Sequence, residues 1–374
     1  MQDARTSAPF RHTFAMSPFS AWMRLLRENG RGDPGYRGRL AGVLLASAAA
    51  APARLAERAV YGRRVRRTAI DPPPLMILGY GRSGTTHLHN LLAQDPRHGS
   101  VTTLQCIVPT FFLLARAAPR SLLAGLVPSA RPMDNMRVAL DLPQEEEVAL
   151  ANATHMSFLH HLSFPRNAVG LHRRYALMEG LDDREMRRWE RTYLDIVRKA
   201  AFHARGRRIV LKSPSNLARI PHVLRIFPDA RFVNIVRNPF AVYLSLTNMF
   251  RKLIPIHQLQ EVEWDEVERV IIDAYRANMK RYLRDRSLIP RNRLVEMRFE
   301  DLEAAPVAEL RRVYDGLDLG GWGAAERPVK AYLDTVEGYR KNRFRMDAAT
   351  VGRVSAEWGF ALDEWGYDPA GARP

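Results

Sequence analysis

The chain has 374 residues, of which 46% are hydrophobic and 26% are charged, a globular balance that excludes disorder or fibrous structure for most of its length. Lys and Arg number 57 against 40 Asp and Glu, so the net charge is +17, which favours phosphorylated ligands, polyanions or anionic membrane surfaces as partners. The single cysteine, Cys106, excludes an internal disulfide and a cysteine-rich metal site, and we expect no metal centre.

The first 70 residues differ in composition from the rest and are predicted to form an N-terminal helical extension. They are rich in Arg and Ala, and a helical pattern runs over about residues 37–65. The longest apolar run, residues 40–53, has 14 residues, fewer than the roughly 18–20 that span a bilayer. Arginines at the edges of this helix suit a membrane interface, and packing against the rest of the protein is the alternative.

The opening sequence MQDARTSAPFRHTF lacks the basic-then-apolar order of a signal peptide. A single cysteine also fits a reducing compartment. We therefore expect a cytoplasmic protein, either free or peripheral at the inner face of a membrane. The sequence leaves the oligomeric state open.

Residues 71–374 are predicted to form one α/β domain, which begins at a run of three prolines that ends any helix. Short apolar segments alternate with long amphipathic ones, a pattern typical of a parallel sheet flanked by helices on both faces. Strands are predicted at 75–78, 209–211, 232–236 and 294–297, and helices at 87–93, 184–203, 217–227, 240–253 and 262–286.

The sequence GYGRSGTT, residues 79–86, joins the first predicted strand to the first of these helices. A strand, a Gly-rich turn and a helix N-terminus form an anion cradle, because backbone N–H groups point inward and the helix dipole favours negative charge. The spacing of Gly79 and Gly84 matches a P-loop, but Thr85 stands where a nucleotide triphosphatase carries its lysine. The cation is Arg82 instead, which argues against ATP hydrolysis. A plain tight turn is the alternative.

The strand at 232–236 leads to Arg237, Asn238 and Pro239, where Asn is predicted to cap a helix and Pro to be its first residue. Ser245 lies seven residues after Asn238, two turns along the same helix face. Arg237 and Ser245 can therefore grip one phosphate beside this helix. An ordinary surface charge at a strand end is the alternative interpretation of Arg237.

These blocks resemble the sulfotransferases that use 3′-phosphoadenosine 5′-phosphosulfate (PAPS), most closely a bacterial and Golgi-type branch, over roughly residues 70–370. The loop at 81–86 is similar to the family's 5′-phosphosulfate loop, Arg237 with Ser245 to its 3′-phosphate motif, and RFEDL at 298–302 to its aromatic-Glu-Asp-Leu segment. The resemblance implies a P-loop-like fold and a sulfotransferase catalytic domain over 71–374. It implies a set of cofactor-binding residues: Gly81, Arg82, Ser83, Gly84, Thr85, Thr86, Arg237, Ser245 and, by a partial match to a late Arg-Lys-Gly loop, Arg340 and Lys341.

The resemblance also implies the reaction, which moves a sulfuryl group from PAPS to a hydroxyl of a small-molecule, lipid or glycan acceptor and leaves adenosine 3′,5′-bisphosphate. Such an in-line transfer needs positioning and charge stabilisation. Lys212 follows a strand and precedes Ser213 and Pro214, and in the resembling branch a lysine in this setting acts on the leaving group. Arg82 is the second cation assigned a catalytic role.

The acceptor hydroxyl must lose its proton to a base, and the resemblance implies a glutamate. The candidates lie in the acidic run after Pro143, where Glu147 is the first choice and Glu145 the second. An ordinary helix start also favours acidic residues, so that alternative stays open. The histidines at positions 155, 160 and 161 (His155, His160 and His161) are the alternative bases.

The sequence says least about the acceptor. Two apolar stretches, residues 105–114 and 122–127, are predicted either to line a hydrophobic acceptor site or to be core helices. One competing function is a P-loop-type kinase using ATP, which needs a lysine at position 85. The other is a non-catalytic protein that binds anionic lipid or nucleic acid, but aromatic residues do not alternate with its basic runs, so we expect no nucleic-acid partner.

Overall fold

The computed structural model describes residues 12–118, 138–337 and 347–368. The strands in these ranges are Leu75–Leu78 (β1), His98–Ser100 (β2), Arg208–Lys212 (β3), Arg231–Val236 (β4) and Leu294–Arg298 (β5). They form one sheet with the order β2-β3-β1-β4-β5, and the pairings β3–β1, β1–β4 and β4–β5 are parallel. This sheet and the helices around it confirm the predicted α/β fold with an N-terminal helical extension.

The four predicted strands are all present, and β1 has the predicted bounds. Every residue of β1 is buried, as its uninterrupted apolar sequence LMIL requires. The other three extend the predicted segments by one or two residues. The sequence analysis missed β2, because its three residues, HGS, include no large apolar side chain.

The amino-terminal helices are Phe19–Asn29 (α1), Arg37–Ala49 (α2) and Ala51–Arg67 (α3). Only Ala50 separates α2 from α3, so the helical stretch Pro34–Arg67 continues past Pro52. A proline is tolerated there because the N–H groups in the first turn of a helix have no acceptor within that helix, so the N–H that proline lacks costs no hydrogen bond. The predicted helical stretch over about 37–65 is thus confirmed apart from the break at Ala50, and the 14-residue apolar run is only part of it. The stretch holds an 18-residue window of mean hydropathy 1.3, which by length and composition alone is enough to cross a membrane, and 22% of that window is buried.

Six helices fill the next part of the described chain: Thr85–Leu92 (α4), Thr103–Ile107 (α5), Phe112–Ala115 (α6), Glu146–Ala153 (α7), Ala168–Tyr175 (α8) and Asp183–Ala204 (α9). The start of α9 is fixed by a capping box, in which the Asp182 and Glu185 side chains each accept a backbone N–H of the other residue.

The helices of the remaining described residues are Ile220–Ile226 (α10), Pro239–His257 (α11), Trp264–Asp285 (α12), Phe299–Ala304 (α13), Pro306–Gly316 (α14), Trp322–Val336 (α15) and Ala348–Trp365 (α16). The predicted helix at 217–227 is divided, because a 3-10 turn at Pro214–Ala218 precedes α10.

Packing divides the chain into two compact units. The first contains the residues before Pro72 together with Ser100–Ile209 and Phe250–Val267. The second contains Pro72–Gly99, Val210–Met249 and the residues from Glu268 onward. One segment boundary, between Asp71 and Pro72, lies one residue from the predicted domain boundary, and the division into residues 1–70 and 71–374 stays a prediction.

The first unit buries a charged pair that links α3 to α9. Lys199 Nζ donates to Glu57 Oε1 at 2.8 Å, and the other carboxylate oxygen accepts the backbone N–H groups of Leu113 and Leu114 at 2.6 and 3.1 Å. A buried carboxylate is costly unless it is paired and hydrogen-bonded, and this one is both. Together with the apolar cluster around Val65, the pair holds α3 against the rest of its unit.

The second unit has its own core, in which the sheet packs against helices α4, α14 and α15. Its buried members include Leu75 and Ile77 of β1, Val233 of β4, Leu88 of α4 and Leu310 of α14. This core fixes the carboxyl ends of the central strands, which carry most of the residues predicted to bind the nucleotide.

Candidate active site

Several of the predicted site residues follow neighbouring strands of the second unit. Strand β1 lies between β3 and β4, and β5 lies beyond β4. Because parallel strands end at the same edge of a sheet, Lys212, the loop at 79–84 and Arg237 lie along one edge. Open α/β sheets bind ligands outside this edge, at the position where the strand order reverses, which here is beside β1.

Two glycines give the loop after β1 its shape. Gly79 has φ +145°, and a Cβ there would lie 2.6 Å from the carbonyl oxygen of Ile235. Gly84 has φ +90°, and a Cβ there would lie 2.1 Å from the ring of Phe299. Arg82 also adopts a positive φ, +71°, which costs free energy for a residue with a side chain. The loop leads directly into α4, whose amino terminus favours an anion, so the strand, turn and helix form the predicted P-loop-like cradle.

Three predicted phosphate ligands from different elements meet beside this loop. Arg82 Nε donates to Ser245 Oγ at 2.9 Å, and Arg237 Nη1 donates to the carbonyl oxygen of Arg82 at 3.2 Å. The Asn238 side chain accepts the backbone N–H of Phe240 at 2.9 Å, which confirms the predicted cap of α11. We call Arg82, Arg237 and Ser245 the Arg-Ser cluster. Two guanidinium groups and a hydroxyl this close together suit a phosphate dianion.

Lys212 is 1% exposed, so it is not an ordinary surface lysine. Its Nζ donates to Thr86 Oγ1 at 3.4 Å, which brings together two residues that the sequence analysis assigned to one site. Burial, and secondarily the charge of Lys212, lowers the pKa of His89 to about 3. His89 is therefore neutral near neutral pH, and it adds no second positive charge beside the lysine.

The segment RFEDL contributes contacts that the sequence analysis did not assign. The guanidinium carbon of Arg237 lies 4.5 Å from the ring centroid of Phe299, a cation–π contact. The carboxylate of Glu300 accepts the backbone N–H of Asn238 at 3.1 Å and the hydroxyl of Tyr367 at 2.8 Å. Phe299 therefore packs against both Gly84 and Arg237, and Glu300 fixes the chain where α11 begins.

The predicted catalytic glutamates lie in the first unit, at the start of α7. Glu146 and Glu147 are fully buried in its first turn, where Tyr193 donates to Glu146 Oε1 at 3.1 Å and Ser157 donates to Glu147 Oε1 at 2.6 Å. Glu145 precedes the helix and is only partly buried. The acidic run is thus a helix start. The assignment of a base within it stays a prediction, and Glu145 is the member that solvent partly reaches.

Of the three alternative bases, which lie in the same unit, His155 and His160 are buried and His161 is partly buried. His160 Nε2 is 3.0 Å from the carbonyl oxygen of Thr154, and His161 Nδ1 is 2.7 Å from that of Phe158. Burial lowers the pKa of His160 and of His161 to about 4, and that of His155 to about 3. A base that titrates this low is poorly matched to proton transfer at neutral pH.

Two further histidines, His12 and His257, belong to the same buried region. Their ring centroids are 5.3 Å apart, and His257 Nε2 is 2.7 Å from Thr13 Oγ1. Burial lowers the pKa of His257 to about 4 and also lowers that of His12. We refer to His12, His160, His161 and His257 as the histidine cluster.

Other predicted site residues are either in the core or outside the described residues. In the stretch 105–114, Gln105 Nε2 donates to the carbonyl oxygen of Ile196 at 2.8 Å and Phe112 is buried, so much of this stretch packs in the core of the first unit. Arg340, Lys341 and the apolar stretch 122–127 lie outside the described residues. Among the described side chains, no three from His, Cys, Asp and Glu are arranged to hold a metal ion.

Comparison with known proteins gives consistent matches in sequence and in fold. A profile of the sulfotransferase family matches residues 73–323. Two relatives named omega-hydroxy-beta-dihydromenaquinone-9 sulfotransferase Stf3, from Mycobacterium bovis and Mycobacterium tuberculosis, are each 34% identical over 363 residues, which cover 95% of this chain and 92% of the relative.

Two crystal structures have a similar fold. Sulfotransferase STF9 from Mycobacterium avium has a TM-score of 0.62 at 20% identity, with 93% of this chain and 96% of that chain covered. Sulfotransferase STF1 from Mycobacterium tuberculosis has a TM-score of 0.61 at 16% identity, with 88% of each chain covered.

Proposed function

Because the chain belongs to the sulfotransferase family and is therefore an enzyme of sulfuryl transfer, we propose that it takes the sulfuryl group from PAPS and delivers it to the hydroxyl of a lipid-like acceptor. The observation that carries the choice of donor is the Arg-Ser cluster beside the glycine loop, with Arg82 Nε 2.9 Å from Ser245 Oγ.

The described residues fit a nucleotide that carries phosphate at two separate positions. The loop has no room for side chains at Gly79 and Gly84, so backbone groups are left there to face a 5′-phosphosulfate. Arg237 and Ser245 would hold a 3′-phosphate. ATP has no 3′-phosphate, and Thr85 occupies the position of the P-loop lysine, so the kinase alternative is not favoured.

PAPS supplies an electrophilic sulfur and a good leaving group, and the protein supplies charge and orientation. We assign Lys212 to the oxygen that becomes negative as the sulfur–oxygen bond breaks. A buried ammonium group acts more strongly than one in water, because little solvent screens it. Thr86, which accepts from Lys212 at 3.4 Å, would keep the ammonium group oriented before the reaction.

We propose that a glutamate at the start of α7 takes the proton of the acceptor hydroxyl. Glu147 is the first choice from the sequence, but its carboxylate is fully buried and bonded to Ser157. Glu145 is partly exposed, so a hydroxyl can reach it with less rearrangement. The burial therefore leads us to prefer Glu145 as the base, with Glu147 as its buried neighbour.

The acceptor class is proposed from the relatives and from the composition of the chain. The relatives at 34% identity are named for a hydroxylated dihydromenaquinone, which is a hydrophobic alcohol. The apolar stretches at 105–114 and 122–127 were predicted either to line such a site or to be core helices, and much of 105–114 packs in the core of the first unit. A hydrophobic primary alcohol is accordingly the proposed class.

The test is transfer of label from ³⁵S-PAPS by the purified full chain to a panel of hydroxyl compounds: a long-chain primary alcohol, an ω-hydroxylated quinone, a steroid, a phenol and a glycan. We expect labelled product from the first two, with one adenosine 3′,5′-bisphosphate released for each sulfate transferred. Label on the glycan alone would contradict the acceptor class. Transfer of phosphate from γ-labelled ATP, with none from PAPS, would contradict the proposed donor.

A further inference from the structure

The three most exposed large apolar side chains among the described residues all lie on α2 and α3. Leu45 is 71% exposed, Leu55 is 70% exposed and Val60 is 55% exposed. Full exposure of one leucine is common on protein surfaces, but several on one pair of helices are unusual. This surface therefore needs an explanation beyond chance.

Both helices have an inward side that is packed and an outward side that is not. In α2 the buried residues Arg39, Val43 and Ser47 recur every four positions, and in α3 Glu57 and Val65 are buried. The outward side consists largely of small or apolar exposed residues: Ala41, Leu45, Ala48, Ala49, Pro52, Leu55, Ala56, Ala59 and Val60. We call this set the outward strip.

The outward strip continues into a basic end. Five exposed arginines lie between the middle and the carboxyl end of α3: Arg58, Arg63, Arg64, Arg66 and Arg67. Residues 37–67 hold eight Arg and one acidic residue, so their net charge is 8 − 1 = +7. The acidic residue is Glu57, which faces inward to Lys199. None of the five arginines forms an ion pair with an acidic side chain that the structure describes.

We propose that the outward strip and its five arginines form a docking surface for an anionic lipid bilayer. Apolar side chains would enter the boundary between headgroups and acyl chains, and the arginines would face anionic headgroups. The proposal rests on the lipid-like acceptor proposed above, because docking would bring the enzyme to the surface where such an acceptor dissolves. A nucleic acid would suit the arginines, but it would gain nothing from the apolar strip.

The contacts of α3 favour docking over insertion across the membrane. Arg54 Nη1 donates to the carbonyl oxygen of Ser47 at 2.7 Å, and Arg54 Nη2 donates to that of Met16 at 2.9 Å. With the pair between Glu57 and Lys199, these bonds fasten the helix to its own unit. A spanning helix would have to break them and place a charged Arg and Glu in hydrocarbon, where unpaired polar groups are costly.

The experiment is flotation of the full chain with vesicles of phosphatidylcholine alone or mixed with phosphatidylglycerol, at low and at high salt. One variant, Leu45→Glu with Leu55→Glu, puts charge into the strip, and a second replaces Arg63 and Arg64 by Gln. The matched control is Leu288→Glu, because Leu288 is 54% exposed but lies in the second unit. Thermal unfolding of each variant shows whether it is folded.

We expect the wild type and Leu288→Glu to float with anionic vesicles at low salt and to be released at high salt. The double leucine variant should lose about tenfold or more in partitioning, and the arginine variant about fivefold for each arginine removed. Peptides from 37–67 should also exchange amide hydrogen more slowly when vesicles are present, a readout that needs no variant.

The proposal is overturned if the wild type does not float, or if the Leu288→Glu control loses as much vesicle binding as the leucine variant. Flotation that resists alkaline carbonate would also overturn it, because that result indicates a spanning helix. A wild-type dimer that the leucine variant dissociates would overturn it as well, because that result indicates a second copy on this surface. Vesicle binding needs no PAPS, so its failure is separate from a failure of sulfuryl transfer. Transfer to an alcohol dispersed in detergent, with no flotation, would leave the proposed function standing and remove the docking surface.

Discussion

Replacing Arg237 by Ala should distinguish the 3′-phosphate from the rest of the nucleotide. In the structure the guanidinium group of Arg237 stacks on Phe299 at 4.5 Å and donates to the carbonyl oxygen of Arg82 at 3.2 Å, so it is already oriented beside the glycine loop. A charge-assisted hydrogen bond contributes about 1.5–3 kcal/mol. At about 1.4 kcal/mol for each factor of ten, one lost bond weakens binding by about tenfold to hundredfold.

Isothermal titration calorimetry with two nucleotides measures this effect. Adenosine 3′,5′-bisphosphate should lose at least about tenfold in affinity for the Arg237→Ala variant, whereas adenosine 5′-monophosphate, which lacks the 3′-phosphate, should change by less than about threefold. Arg237→Lys should fall between, since it keeps the charge without the planar fork. Arg231→Ala is the control, because Arg231 lies at the other end of β4 and donates to the carbonyl oxygen of Asp318. Equal losses for both nucleotides would refute the assignment of Arg237 to the 3′-phosphate.

Four further predictions concern turnover, the loop and pH. Lys212→Ala should lower the single-turnover rate constant about a hundredfold or more and leave the affinity for PAPS within about threefold, because the interaction of Lys212 strengthens only as charge develops on the leaving phosphate. Glu145→Gln should lower kcat by about a hundredfold at unchanged Tm, while Glu147→Gln should chiefly lower Tm; the reverse pattern assigns the base to Glu147. Gly84→Ala should destabilise the protein by about 1–3 kcal/mol and weaken nucleotide binding, because its Cβ would overlap a phenyl ring, whereas Gly359→Ala, with open space around it, should do neither. Folding lowers the pKa values of the histidine cluster from an ordinary value near 6.5, so the unfolded chain binds more protons than the folded one. Urea titrations should therefore show that the free energy of unfolding falls as the pH drops from about 6.5 toward about 4. A free energy of unfolding that does not change with pH in this range would contradict the burial of the cluster.

The elements that were predicted correctly are those that are determined by residues close together in the sequence. Strand β1 was predicted within its bounds because four successive apolar residues, after a proline run, have few alternatives to a buried strand. The capped start of α11 was predicted from Asn238 and Pro239, which act on their own neighbourhood. By contrast β2 has three residues and no apolar signal, so only its position in the sheet reveals it.

The parts that could not be predicted depend on residues far apart in the chain. The pair Glu57 and Lys199 joins positions 142 residues apart, and nothing local marks either as buried. The burial of Glu146 and Glu147 is similar, since acidic residues at a helix start are usually solvated and distant partners, Tyr193 and Ser157, help to compensate for their burial. The helical pattern over 37–65 was predicted, but its apolar run was counted only to Ala53, whereas the helical stretch Pro34–Arg67 holds an 18-residue window of mean hydropathy 1.3.

A crystal structure of the full chain with adenosine 3′,5′-bisphosphate tests the central claim most directly. The account predicts the 5′-phosphate in the loop of residues 79–84, within hydrogen-bonding distance of backbone N–H groups at the start of α4. It predicts the 3′-phosphate in contact with Arg237 and Ser245, and Lys212 beside the 5′-phosphate. A nucleotide bound elsewhere, or a 3′-phosphate that touches neither Arg237 nor Ser245, would contradict it.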